Sequence, residues 1–262
     1  LSLHDALPIY GNLTTLNSVV AAAQSLGVNL DAGQQAQFER FGQLIELHNK
    51  QFNLTGAKTQ ERIRDELLIR SLRILSPAGG SVPTPEWFAG KRAIDVGTGA
   101  GIPGVVMKIA LPELRITLLD STAKKTKFLK EVVEELKLES VEVITNRAEE
   151  LGQDPEHREA YDLVVARAVA RLPELAELTL PFAVIGGTVI LPKSAGLEDE
   201  LDAAAAAAEI LGAAPAITLQ VDRPGTSPPD HTVYWMKISP TPREFPRRIG
   251  VPHRSPLIEQ NS

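Results

Sequence analysis

The chain has 262 residues, of which 43% are hydrophobic and 23% charged, a composition that suits a globular protein with a sizeable buried core. It contains no cysteine, which excludes disulfides, thiolate metal sites and a cysteine nucleophile. A formal charge of −6 excludes nucleic-acid binding driven by net charge, so any such contact has to come from local basic patches. The longest apolar runs fall far short of the roughly 20 residues of a membrane helix. No basic-then-apolar signal opens the chain, so a cytoplasmic protein without membrane contact is expected.

Residues 1–11 carry no pattern and read as a non-native or disordered leader. Leu16, Val19, Val20, Ala23 and Leu26 recur at helical spacing, and Gly27 ends that segment. Asp31 is placed to cap the next helix, with Gln34 three residues on, and Phe38, Phe41, Leu44, Ile45 and Leu47 are its expected apolar face. A third helix holds Ile63, Leu67, Leu68, Leu72 and Leu75, so 12–80 reads as a helical cap. Residues 76–85, rich in Pro, Gly and Ser, mark a boundary. Beyond it, strand candidates at 92–96, 115–119, 141–145, 162–166 and 188–192 alternate with helical stretches at 104–111, 124–138, 172–182 and 197–211. Two more β-like runs, 216–221 and 231–238, follow with only the turn 222–230 between them. Residues 86–239 therefore read as a doubly wound, Rossmann-like α/β sheet with a terminal antiparallel hairpin, and 240–262 as a basic, Pro-rich tail.

The first strand runs into Asp95-Val-Gly-Thr-Gly-Ala-Gly-Ile-Pro-Gly104, a glycine-rich turn that opens a helix. Gly97, Gly99 and Gly101 let a ligand approach the main chain, and Pro103 suits the first helical turn. The same residues satisfy a dinucleotide pattern, and Asp120, at the end of the second strand about 20 residues on, would accept ribose hydroxyls of NAD or of S-adenosylmethionine alike. Two features favour the methyl donor. Asp95 is expected to face its cationic methionine part, and the sheet ends in a hairpin with no second domain for a hydride donor's substrate. A methyltransferase is the reading; an NAD-dependent oxidoreductase and a non-catalytic nucleotide- or RNA-binding module are the alternatives. Lack of cysteine also removes the thiolate attack common in pyrimidine C5 methylation.

With those residues in place the chain resembles the glucose-inhibited division protein B family, the small-subunit ribosomal RNA methyltransferases G. The resemblance covers roughly residues 30–257. It rests on His48-Asn-Lys-Gln-Phe-Asn-Leu-Thr55, the glycine turn, Leu118-Leu-Asp-Ser121, Asn146-Arg-Ala-Glu-Glu150, Ala166-Arg-Ala168 and Phe245-Pro-Arg-Arg-Ile-Gly-Val-Pro-His-Arg-Ser-Pro-Leu257. It implies a class I methyltransferase that uses S-adenosyl-L-methionine to methylate N7 of a guanine in 16S rRNA of the small ribosomal subunit. It further implies that Gly97 and Ile102 line the cofactor, that Ala148 and Glu149 border its adenine, and that Arg167 sits beside the reacting centre. Where the family usually carries a His and an Asp in a segment like H-x-x-D-S-L, this chain has Leu67 and Arg70.

Guanine N7 has a lone pair and no proton to lose, so its methylation needs alignment more than a general base. That agrees with five scattered His, no evident acid–base pair and no N-P-P-[YF] motif. Arg167 is the expected catalytic residue, forking onto the guanine edge or a phosphate. No metal is expected. Lys124, Lys125 and Lys127 oppose the dipole of the helix they open, Lys193 ends the fifth strand, and Lys50, Asn53 and Lys58 mark a cap loop; all are candidates to face substrate. The tail arginines would fold on RNA or solubilise a disordered end. A monomer is expected.

Overall fold

The computed structural model describes residues 13–75, 85–167, 170–193, 197–221 and 230–257. The leader, most of the 76–85 boundary, the turn at 222–229 and the last residues of the tail lie outside them. No described helix is long and apolar enough to cross a membrane.

Seven strands form one sheet: β1 (Arg92–Val96), β2 (Arg115–Asp120), β3 (Val141–Thr145), β4 (Tyr161–Val165), β5 (Ala183–Lys193), β6 (Ile217–Val221) and β7 (Asp230–Met236). Their order is β3-β2-β1-β4-β5-β7-β6. The first five run parallel, and β7 inserts antiparallel between β5 and β6. A sheet with helices on both faces buries its central strands, which is why β1 and β4 are mainly apolar, with Asp95 the buried exception in β1. Alternate residues feed two cores: Ala93, Leu118 and Val165 face one, Ile94, Leu119 and Val164 the other.

Helices α1 (Leu13–Ser25) and α2 (Ala32–Asn49) precede the sheet. Asp31 and Gln34 form the expected capping box, with Gln34 N 2.8 Å from Asp31 Oδ1 and Asp31 N 2.9 Å from Gln34 Oε1. Phe38, Phe41, Leu44 and Ile45 are buried, but Leu47 is 41% exposed. The 3–4 residue stripe continues through His48, whose ring lies 4.8 Å from that of Phe128. The third helical stretch is α over Gln60–Arg62 (α3), π over Ile63–Ile69, α again over Arg70–Leu72 (α4) and 3-10 over Arg73–Leu75.

These helices share one continuous core with the sheet face covered by α5 (Gly104–Ala110) and α6 (Ala123–Glu135). Gln34 donates to Ile109 O at 2.7 Å and Gln37 to Leu136 O at 2.8 Å, satisfying carbonyls at the ends of α5 and α6 that have no helical partner. The other face carries α7 (Ala148–Leu151), α8 (Leu172–Thr179) and α9 (Glu198–Ile210).

The tail departs from both expectations held for it. Residues 240–257 are folded onto the sheet domain and end in a short helix, α10 (Val251–Arg254). Arg158 donates to four carbonyls, Gly152, Phe245, Thr241 and Pro242, at 2.5–3.0 Å. Arg247 grips the fully buried Glu177 with Nη2 2.6 Å from Oε2 and Nε 2.9 Å from Oε1. Composition alone reads such a segment as unfolded; two long-range arginine contacts override it.

Arg247→Ala would leave the Glu177 carboxylate buried without its countercharge, a loss of about 3 kcal/mol or more. Denaturant unfolding should show that drop, and a change below about 1 kcal/mol would mean the tail is held elsewhere.

Candidate functional site

The site begins where β1 stops. Gly97, Gly99 and Gly101 have φ of 70°, 59° and 84°, the left-handed region that glycine adopts without strain. The glycines divide the labour. A Cβ at Gly101 would lie 2.5 Å from Val105 Cγ2, and one at Gly104 2.4 Å from Leu118 Cδ2, so these two let α5 pack closely on the sheet. At Gly99 the nearest atom to such a Cβ is Gly97 O at 3.9 Å, so the backbone there borders open space.

Asp95 does not face a ligand as the sequence suggested. It is fully buried under the turn, where Oδ2 accepts from Thr98 Oγ1 at 2.6 Å and from Gly104 N at 2.7 Å, while Oδ1 is buried without a hydrogen-bond partner among the described residues. Desolvation pushes its carboxyl from 3.8 up to about 7, against the Thr98 and Gly104 bonds, which favour the charged form.

Asp120 ends β2, 6% exposed at its side chain, with Oδ2 3.0 Å from Gly99 N and Oδ1 2.8 Å from Thr122 N. Lys125 Nζ stands 3.5 Å away. A carboxylate has about four acceptor positions, and with three taken Oδ1 keeps capacity for a further donor.

Between the strand ends and the tail lies a cavity of about 370 Å3. Gly97, Asp120, Ala148 and Glu149 come together in its lining. Gly99 adjoins it through the bond to Asp120, whereas Gly101 and Ile102 are buried in the turn beneath and Arg167 stands outside the lining. The opposite wall is Glu174 and Leu178 of α8 with Gly250 and His253 of the tail. Sequence reasoning gave Glu174 and Leu178 no role; only the quoted tail motif pointed toward Gly250 and His253. Glu149 Oε1 accepts from Gly250 N at 2.9 Å, and His253 Nδ1 lies 3.1 Å from Glu174 Oε2, so the tail is tied to both sides of the cavity.

Arg167 follows β4 and meets the cap. Its Nη1 donates to Ser71 Oγ at 2.9 Å and approaches Leu67 O at 3.5 Å, while Nη2 donates to Glu66 O. Burial, then the neighbouring Arg70, lowers its pKa to about 10, opposed by Asp230, Asp95 and Glu66; it remains a cation at neutral pH. Arg70, at the departure from the family pattern, pairs with Asp230 at 2.6 Å.

The basic candidates separate. Lys193 is engaged by Glu200 at 2.8 Å and by Ala170 O, which ties β5 to the start of α8. Lys124 and Lys127 are exposed on α6, which follows Asp120. Lys50 and Lys58 are exposed on a loop that Asn49 closes, donating to Ala57 O at 2.7 Å and accepting from Thr55 N at 2.9 Å.

A sheet of this strand order, unlike the all-parallel dinucleotide sheet, with a cavity at the carboxyl edge of β1–β3, defines a Rossmann-like class I methyltransferase. The family model for GidB, rRNA small subunit methyltransferase G, matches residues 34–225. The chain is 38% identical over 244 residues to a Ribosomal RNA small subunit methyltransferase G of Dehalococcoides mccartyi, covering 93% of this chain and 100% of that protein. It is also 38% identical to the one of Roseiflexus castenholzii (93% and 100% covered). Identity to the one of Nostoc punctiforme is 40% (89% and 95% covered). The chain belongs to the rRNA small subunit methyltransferase G family.

Asp95 sets a pH dependence. Unfolded, its carboxyl ionises near 3.8; folded, near 7. The native state holds the extra proton between those values, so its share of stability is full below the lower one and is lost as pH rises through about 7. Unfolding midpoints should therefore fall from about pH 5 to about pH 8 more steeply in the wild type than in Asp95→Asn. Parallel profiles would show that the buried carboxyl does not hold that proton.

Proposed function

We propose that this chain transfers a methyl group from S-adenosylmethionine to N7 of one guanine in 16S rRNA of the small ribosomal subunit, acting as a cytoplasmic monomer. The observation that carries the reading is the cleft between the glycine turn and the tail, in a chain of this family. The residues present fit the cofactor. The left-handed Gly97 and Gly99 leave main chain open beside the cavity, Asp120 keeps acceptor capacity for ribose hydroxyls, and Ala148 and Glu149 border the space its adenine would take. Gly101 and Ile102 act from beneath, by fixing the turn.

Bound there, S-adenosylmethionine supplies an electrophilic methyl group on a sulfonium. The protein's own contribution is placement. N7 attacks with an in-plane lone pair, and no side chain has to remove a proton, so the reaction depends on holding the guanine in line and excluding water. Arg167 is the group for that task, because a guanidinium forks onto the acceptors of a guanine edge or onto a phosphate. The exposed Lys124 and Lys127 on α6 suit the RNA backbone.

Incubating the chain with small subunits or naked 16S rRNA and methyl-labelled S-adenosylmethionine should label one guanine and make it sensitive to borohydride–aniline cleavage. Cofactor binding without transfer to either RNA form would overturn the reading. Gly99→Asp should abolish cofactor binding with the circular dichroism spectrum retained; unchanged affinity would take the turn out of the site.

A further inference from the structure

We propose that Arg70, Ser71 and Asp230 position Arg167, making the end of the third cap helix part of the reaction apparatus. This rests on the reading above that Arg167 meets the substrate. Three stretches distant in sequence converge here: 66–71 from the cap, Arg167 after β4, and Asp230 at the start of β7.

The cap end has acceptors to offer because its helix is π over Ile63–Ile69 and returns to α at Arg70. Such irregular turns recur at functional sites, since they displace carbonyls from the regular ladder. Glu66 O and Leu67 O accept from Arg167, and Ser71 Oγ, buried, accepts from Arg167 at 2.9 Å while donating to Leu67 O at 2.5 Å. The guanidinium is therefore oriented by neutral acceptors, which hold its direction without cancelling its charge.

Arg70 and Asp230 protect that arrangement. Their side chains are 24% and 9% exposed, and Nη2 lies 2.6 Å from Oδ1. Two guanidiniums side by side repel, and the Asp230 carboxylate offsets that repulsion. Equally, Arg70 occupies an oxygen of Asp230 that would otherwise compete for Arg167. A buried carboxylate that loses the cation on one of its oxygens draws more strongly on another whose charge it already feels, and Arg167 would leave Ser71 for β7. The ion pair thus guards the direction of a third group, and its consequence is kinetic.

Single-turnover methylation of the RNA substrate, with cofactor affinity and melting temperature measured in parallel, tests this. Arg70→Ala should lower the transfer rate by about tenfold or more, the scale of a misplaced group, with cofactor affinity within about twofold of wild type. Adding Asp230→Asn, which removes the competing carboxylate, should recover most of that rate. In an Arg167→Ala background, Arg70→Ala should cost nothing further, because it acts through the missing group. If Arg70→Ala does not fold, Asp230→Asn alone reads the same linkage, and its transfer rate should fall as the unbalanced Arg70 displaces Arg167. A rate unchanged in Arg70→Ala, or a loss that Asp230→Asn deepens, overturns the inference. Full activity of Arg167→Ala would instead overturn the assignment of Arg167 itself.

Discussion

One buried carboxyl ties together the parts on which the site depends. Asp95 stands on the central strand, paired with Leu118 of β2 and Val165 of β4 in register. A single oxygen, Oδ2, receives the Thr98 hydroxyl and the Gly104 amide, which lie on either side of the glycine turn. The turn cannot open without breaking both bonds inside a water-free core. Gly104 also has to be glycine for this, since a Cβ would lie 2.8 Å from the same oxygen. Strand, turn and helix α5 are therefore one rigid unit, and Gly97 and Gly99 are held open toward the cavity by what happens beneath them.

This explains how far the sequence could be read. Strand and helix candidates follow from periodicity, and the inner parallel strands were legible because burial on both faces writes a short apolar run, as in Leu163 to Val165. The place of Asp120 at the cavity was legible because a strand end following a glycine turn opens onto the carboxyl edge of the sheet. Asp95 was visible too, but its role was not. Whether a carboxylate points at a ligand or under a turn depends on side-chain direction, which spacing does not carry. The same holds for Leu47, where adjacent positions compete for one stripe and His48 takes it.

What periodicity could not reveal came from contacts between distant segments. Residues 240–257 carry Pro, Gly and charge, the composition of an unfolded end, yet Arg158 alone satisfies three of its carbonyls, those of Thr241, Pro242 and Phe245. The segment needs no apolar stripe because its backbone groups are satisfied by side chains of the sheet domain. In return it closes one side of the cavity through Gly250 and His253. The cap contributes outside the cavity lining, by the π segment's carbonyls at Arg167. The sheet supplies the floor, and the two segments with the weakest sequence signals supply the surroundings.

Arginine carries most of this long-range work, and the physical reason is common to its three placements. A guanidinium offers five donors in a fixed plane, so one side chain can span several acceptors that no lysine could reach together. Arg158 and Arg247 use that plane to fix the tail, one on carbonyls and one on the Glu177 carboxylate. Arg167 uses it on the carbonyls and hydroxyl of the cap. The difference lies in the partner. Arg247 is neutralised by the carboxylate it holds, whereas Arg167 is oriented by neutral oxygens and keeps its charge available. In a chain whose net charge is −6, an undischarged cation at the carboxyl end of β4 has to be kept from nearby carboxylates. Arg70 does so by holding Asp230, whose charge acts on Arg167.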